Sequence, residues 1–343
     1  MGTYLLDSEE TARYLDISRS TLFRLINQKK ITPVRVGRSI RFDVSELDKL
    51  LTASPPSPIQ VVVIPKIASF SSIGELLQVA DKALRSRSPK IIFDLSNCEF
   101  LTPTGVAVVC SVVTQCRDGG KQVDFLKPND PKVKEFLDEI GFWGCLNLQT
   151  TQVGGILGPT IQLSRLVNSS SKITDELARF YESSMNISEG VSYALQFAHN
   201  ELIENVFDHS HSRPGCLVCA GSTPTSKLLK LAVLDEGQGI KSSLSERHTV
   251  NDDVSAIKKS VERWVSAKPD RGVGLHTLLN KFIQLNKGEL RVVSGRGKVI
   301  FESPDKIISE EALPYPWNGT IVEVKLNMDQ GNYYRLSSEN GPF

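Results

Sequence analysis

LLDSEETARYLDISRSTLFRLINQKKITPVRVGRSIRF (residues 5–42) is punctuated densely enough to be read element by element. Asp7 followed by Glu10 is a D-x-x-E helix start, in which the glutamate reaches back to the cap. A short helix follows with Ala12 and Leu15 inward, and DIS (16–18) turns the chain. Ser18 then caps a second helix, whose apolar stripe is Leu22, Leu25 and Ile26. Two short helices joined by a tight turn make a helix-turn-helix. VRV (34–36), the turn at Gly37-Arg38 and IRF (40–42) read as a small wing, and VSELDKLL as a closing helix.

Charge sharpens this reading. Arg19, Arg24, Lys29, Lys30, Arg35, Arg38 and Arg41 put seven positive charges on residues 19–41, with no acidic residue among them. The whole chain is only +1, so the remainder is net −6. The patch falls on the second helix and the wing, the surfaces a winged helix lays on duplex DNA. A solvated basic face is the plainer alternative. The segment resembles the excisionase and MerR-type DNA-binding domains. That resemblance implies major-groove contacts from Ser20, Thr21 and Arg24, and phosphate contacts from Arg35, Arg38 and Arg41, with Arg19, Lys29 and Lys30 completing the basic face. One domain this small reads few bases, so a homodimer or a second DNA-contacting region is expected.

The 343 residues suit two or three domains. With 40% apolar and 23% charged residues, wholesale disorder is excluded. No apolar run approaches a membrane span, and MGTYLLDSEE lacks a secretory signal pattern, so a cytoplasmic, non-membrane protein is expected. Six scattered cysteines suit reduced thiols. Cys216 and Cys219 lie three apart in CLVCAG, on opposite faces of a strand, which disfavours a metal site. SPPSP (54–58) is a stiff linker. The fold class expected is multidomain α+β: 1–53 a winged helix-turn-helix, 59–149 an α/β module, 150–172 a connector, 173–327 a third domain and 328–343 a tail.

In the middle unit QVVVI, KIIFDL and QVDFL read as strands, and IGELLQVADKAL, GVAVVCSVVTQC and PKVKEFLDEIGF as helices. KIIFDLSNCEFLTPTGVAVV resembles the STAS (sulfate-transporter and anti-sigma-factor-antagonist) domain. There the residue before a glycine at a helix start is phosphorylated. Thr104, before Gly105, takes that place and is the candidate phosphosite; Thr102 and Pro103 depart from the family's Asp-Ser. Thr104 as a plain N-cap is the alternative. The resemblance also implies a protein partner for this module.

The third unit has no P-loop. In VSYALQFAHNELIENVFDHS (191–210), Glu201, Asn205 and Asp208 stand at i, i+4 and i+7, on one helix face. Such a set can polarise a water and hold Mg²⁺, or simply face solvent. LLKLAVLDEGQGI (228–240) ends a strand at Asp235, with Gly237 and Gly239 following. RGVGLHTLLNKFI (271–283) opens a helix on Gly272 and Gly274. The intervening 240–270 is polar and reads as a lid. In this order the three pieces resemble the Bergerat-fold ATPases of the gyrase, heat-shock chaperone, histidine-kinase and mismatch-repair (GHKL) superfamily, and also the anti-sigma serine kinases. The resemblance implies ATP and Mg²⁺ as cofactors. Asn205 would be the metal ligand, with Asp208 beside it, and Asp235 would hold the adenine amino group, supported by Thr320. Gly237 and Gly239 would flank the base, Arg271, Gly272, Gly274 and Leu275 the phosphates, and Glu201 would be a general base.

Three functions follow from this combination: an ATP-responsive DNA-binding regulator, a serine/threonine kinase of anti-sigma type, or a DNA-linked ATPase of mobile-element or phage-defence type.

Overall fold

The computed structural model describes residues 5–15, 17–37, 39–53, 57–146, 155–157, 160–168, 171–185, 196, 199–212, 214–223, 227–262, 283 and 287–327. It is a mixed α/β molecule with a small N-terminal unit. No helix among the described residues is long and apolar enough to cross a membrane.

The N-terminal unit runs β1 (Leu5–Leu6), α1 (Ser8–Tyr14), α2 (Arg19–Asn27), β2 (Val34–Val36), β3 (Ser39–Asp43) and α3 (Val44–Ala53). Asp7 caps α1 by accepting from the Glu9 and Glu10 amides, while Glu10 accepts from Asp7 N at 2.9 Å. Ser18 caps α2 through Thr21 N at 3.2 Å. Gly37 takes φ +64° at the wing turn, a conformation glycine adopts without cost. Leu6, Ala12, Leu22, Ile31, Phe42 and Leu47 form the core.

The middle unit runs β4 (Ile59–Val63), β5 (Ile67–Ala68), α4 (Ile73–Arg85), β6 (Lys90–Asp94), β7 (Phe100–Leu101), α5 (Pro103–Asp118), β8 (Gln122–Leu126), α6 (Pro131–Glu139) and α7 (Phe142–Cys145). β4, β6 and β8 make a parallel sheet with β6 central, and β5 pairs β7.

The third unit has β9 (Ile156–Leu157), β10 (Thr160–Leu166), α8 (Ser171–Met185), α9 (residues 199–205), a π-helical turn (Val206–Ser210), β11 (Cys216–Thr223) and β12 (Leu228–Asp235). α10 (Gly239–Ser245), α11 (Asp253–Ser260), β13 (Glu289–Ser303) and β14 (Lys306–Asn327) complete it. Its antiparallel sheet has the order β13-β14-β12-β11-β10-β9.

Three expectations change. The expected connector contributes β9 and β10, because TIQLSRL buries residues on both faces of the sheet despite its serine and threonine. The expected lid carries two helices, and Asp252 caps α11 by accepting from Ser255 N at 2.7 Å. GELRVVSG and KVIFES, which read from the sequence as two successive strands, form the single β13, bulged at Gly295 and Gly297. A Cβ at Gly295 would meet the Asp253 carboxylate at 2.5 Å, so glycine is what lets α11 lie against the strand.

The sheet is buried on both faces. Cys216 and Cys219 show this, lying in opposite cores as their spacing requires. One face packs on α8, α9 and the π-helical turn through Leu177, Phe180, Leu202 and Val206. The other shares one continuous core with the middle unit, in which Val106, Val109 and Val113 of α5 meet Leu217, Cys219 and Ala232. The middle and third units are therefore fused by a common core. α5 is apolar nearly all round because it is covered on both sides.

α5 also meets β5 closely. Thr102 caps it, Pro103 stands at N1, and a Cβ at Gly105 would lie 2.1 Å from the Ala68 carbonyl oxygen. Gly105→Ala is therefore expected to lower stability by ~3 kcal/mol, the upper range for overpacking, read as a lower urea midpoint with an unchanged slope.

Candidate functional site

In the third unit the end of β12, the π-helical turn and β14 converge. The Ser210 carbonyl accepts from Gln238 N at 2.7 Å, and a Cβ at Gly237 would stand 2.0 Å from that oxygen. Asp235 is only 4% exposed. Its Oδ1 accepts from Gly237 N at 2.7 Å, and Thr320 supplies backbone and side-chain hydrogen bonds. Burial pushes the carboxyl up to about 7, against the pull of those bonds. The Asp235 backbone carbonyl accepts from Trp317 Nε1 at 2.9 Å. Gly319, at φ +113°, passes so close that a Cβ would lie 2.2 Å from that oxygen. Ser294 Oγ ties the rim together, accepting from Ile240 N and donating to the Gly319 carbonyl, each at 2.9 Å.

The structure thus brings Asp235, Gly237, Gly239 and Thr320 together. A cavity of ≈ 320 Å³ opens beside them, walled by Gly237, Gly239, Lys241, Asp253, Ser294 and Trp317 among others. Its volume is within the range of small-molecule sites. Lys241, Asp253, Ser294 and Trp317 were not singled out from sequence; the Asp252–Ser255 capping box was the available sign that α11 borders the site.

Glu201 and Asn205 are half-buried on α9. Asp208 lies in the π-helical turn, where wider winding turns it back from the face expected for a continuous α-helix. The one-face expectation therefore holds for Glu201 and Asn205 but not for Asp208. Arg271, Gly272, Gly274 and Leu275 lie outside the described residues. Among the described residues no cluster of three His, Cys, Asp or Glu side chains could hold a metal. Mg²⁺ carried on nucleotide phosphates needs only one or two protein oxygens, so Asn205 remains chemically suitable.

Thr104 is fully buried between the middle and third units. It donates to Glu323 on β14, which also pairs with Arg291 at 2.9 Å. The N-cap of α5 is Thr102, so the reading of Thr104 as the cap is corrected. Nearby, Ser111 Oγ donates to Glu236 at 2.5 Å and Arg165 donates to Thr114 Oγ at 3.0 Å, both across the same seam.

In the N-terminal unit Arg19, Ser20, Arg24, Lys29, Lys30 and Arg35 are exposed. Arg41 is half-buried and faces Asp7 at 3.8 Å. Arg38 lies outside the described residues. Ser20 and Thr21 share their hydroxyls with the Ser18 cap, at 2.8 and 2.9 Å. Residues 5–54 match the family model of the helix-turn-helix domain. These residues are a helix-turn-helix domain. No curated protein sequence matches the chain. The helix-turn-helix domain points to DNA binding, with α2 as its exposed basic helix. It also exposes Phe23, 41% accessible beside Arg24, and Val34 and Val36 on the wing. Apolar side chains there can meet thymine methyls or sugars. Phe23 was legible as the aromatic residue lying off the apolar stripe of α2.

Proposed function

We propose that the chain is an ATP-binding, DNA-binding regulator in which nucleotide at the third unit alters the affinity of the helix-turn-helix domain for duplex DNA. The observation that carries this reading is the convergence of Asp235, Gly237, Gly239 and Thr320 on one buried carboxylate beside a cavity, in a chain that opens with a helix-turn-helix domain. A buried carboxylate held in place by Gly237 and Thr320 is an acceptor of the kind an adenine amino group needs. Gly237 and Gly319 let the π-helical turn, the end of β12 and β14 close tightly around that carboxylate, which fixes its position beside the cavity. ATP would be held by Asp235 and Thr320 at the base and Mg²⁺ by Asn205, supplying negative charge and a phosphoryl group at the α9 face. The sheet with α8 and α9 on one face supports a Bergerat-type domain, and the parallel β4-β6-β8 module supports a STAS-like one. Calorimetric titration of the full chain with Mg-ATP tests the site directly. Measurable binding is expected, and none would remove the nucleotide reading.

A second reading, hydrolysis or phosphoryl transfer, is favoured by Glu201, which stands half-buried one helical turn before Asn205. Incubation with γ-labelled ATP separates the cases: free phosphate marks an ATPase, labelled protein a kinase. If Glu201 is a base, Glu201→Ala keeps ATP affinity within a few-fold and slows turnover by ~10²–10⁴. Equal turnover in the variant contradicts that role. Phosphorylation of Thr104 would require the middle unit to part from β14 first, because its hydroxyl is buried against Glu323.

A further inference from the structure

The parallel sheet of the middle unit has one face in the core and one facing outward. Val62, Ile91 and Phe93 point inward and are buried. Ile59, Val61 and Val63 of β4 and Leu126 of β8 point outward at 43%, 39%, 52% and 48% exposure. The register sets this outer face in three rows: Ile59, Lys90 and Gln122; Val61, Ile92 and Asp124; Val63, Asp94 and Leu126. These four exposed apolar side chains lie on one face of the sheet, which makes that face the candidate interaction surface of the middle unit.

The charge order on β6 selects the partner. Lys90 and Asp94 flank Ile92 symmetrically, one row to either side. Stack a second copy on this face with the two-fold axis across the strands. Row one then lies over row three, and Lys90 faces the partner subunit's Asp94. Val61 and Ile92 fall next to the axis. An axis along the strands would instead set Lys90 on the partner subunit's Lys90, which like-charge repulsion disfavours. Asp124, in the middle row on the edge strand β8, lies over the partner subunit's Asp124 and is paired within its own copy by Lys90, so two Lys90–Asp94 contacts stand against one like-charge pair. The face is thus complementary to itself in the antiparallel sense, the requirement of an isologous dimer.

We infer that the outer face of β4, β6 and β8 pairs two copies of this chain. Three strands of five residues cover about 14 by 16 Å. That is far below the ~800 Å² per partner of a stable dimer, so the pair is weak in free solution. β4 begins directly after the short proline-rich linker that follows the helix-turn-helix domain, so pairing here tethers two DNA readers. On one duplex their joint binding strengthens the pair. This last step rests on the DNA-binding reading of the helix-turn-helix domain.

All six native cysteines are buried, so Val61→Cys supplies one reactive thiol next to the proposed axis. Gln78→Cys, exposed on α4, is the control. The full-length variants are treated with a short bismaleimide, at high protein concentration without DNA and at low concentration with mixed-sequence duplex. Val61→Cys is expected to give a 61-to-61 cross-linked dimer in both conditions, and Gln78→Cys to stay monomeric. Val61→Asp, with an unchanged melting temperature, is expected to weaken apparent DNA affinity at least ~10-fold through lost avidity. No dimer above the control, a cross-link from position 61 to another surface, or unchanged DNA affinity in Val61→Asp would overturn the inference. Should wild-type protein not bind duplex at all, the DNA reading fails, and the DNA-free cross-link still decides the face.

Discussion

Asp235→Asn is expected to reduce Mg-ATP affinity by ~10² or more, because an amide cannot accept from the adenine amino group and Thr320 in the same geometry. The loss should come without unfolding. Burial raises the native carboxyl to about 7, above the ordinary Asp value near 4. Between those values the native state binds the extra proton, so stability falls as pH rises from about 4 to about 7 and then levels off. Asn carries no such penalty. The variant should therefore melt at the same temperature as wild type or higher at pH 8, while binding nucleotide at least ~10²-fold more weakly. In wild type, ATP affinity should rise as pH rises through about 7, since only the ionised carboxylate accepts the amino group. Calorimetry of both proteins at pH 6 and 8 checks each point. Equal affinity in the variant would remove Asp235 from the site.

Replacing Arg19, Arg24, Lys29 and Lys30 together by alanine should lower duplex affinity by ~10²–10³ near physiological salt, with the fold intact, because all four are exposed. The slope of log affinity against log salt should flatten by about three to four, close to one per lost phosphate contact. Anisotropy titrations at several salt concentrations measure both. Phe23→Ala should act differently, weakening binding with little change in slope, as an apolar contact does. A quadruple variant with unchanged slope would move the DNA contacts off α2 and the turn that follows it.

The N-terminal unit was legible because its signals are local. Asp7, Glu10 and Ser18 write their caps within three residues, and Leu22, Leu25 and Ile26 give the inward face directly. The middle unit was legible from alternating periods. What escaped was non-local. β10 looks like a linker because its polar residues are buried only when the middle unit closes over the sheet. α5 carried the clue in being apolar on every side, yet its second partner, the face of β11 and β12, lies a hundred residues on. The same applies to Thr104, whose partner Glu323 comes from β14. In the candidate site, Asp235 and the glycines were readable from one short turn. Trp317, Ser294 and Asp253 join them only through strand pairing and the packing of α11. Asp208 was misjudged because nothing local announces the π-helical turn that follows Asn205.

The central claim is that nucleotide and DNA are coupled through one chain. Linkage requires that if Mg-ATP changes DNA affinity by some factor, DNA changes ATP affinity by the same factor. The direct measurement is duplex affinity by fluorescence anisotropy with and without saturating Mg-ATP, for wild type and Asp235→Asn. The account predicts a shift of about 5- to 150-fold in wild type, and none in the variant. Identical DNA affinity with and without Mg-ATP in wild-type protein that binds both ligands would contradict it.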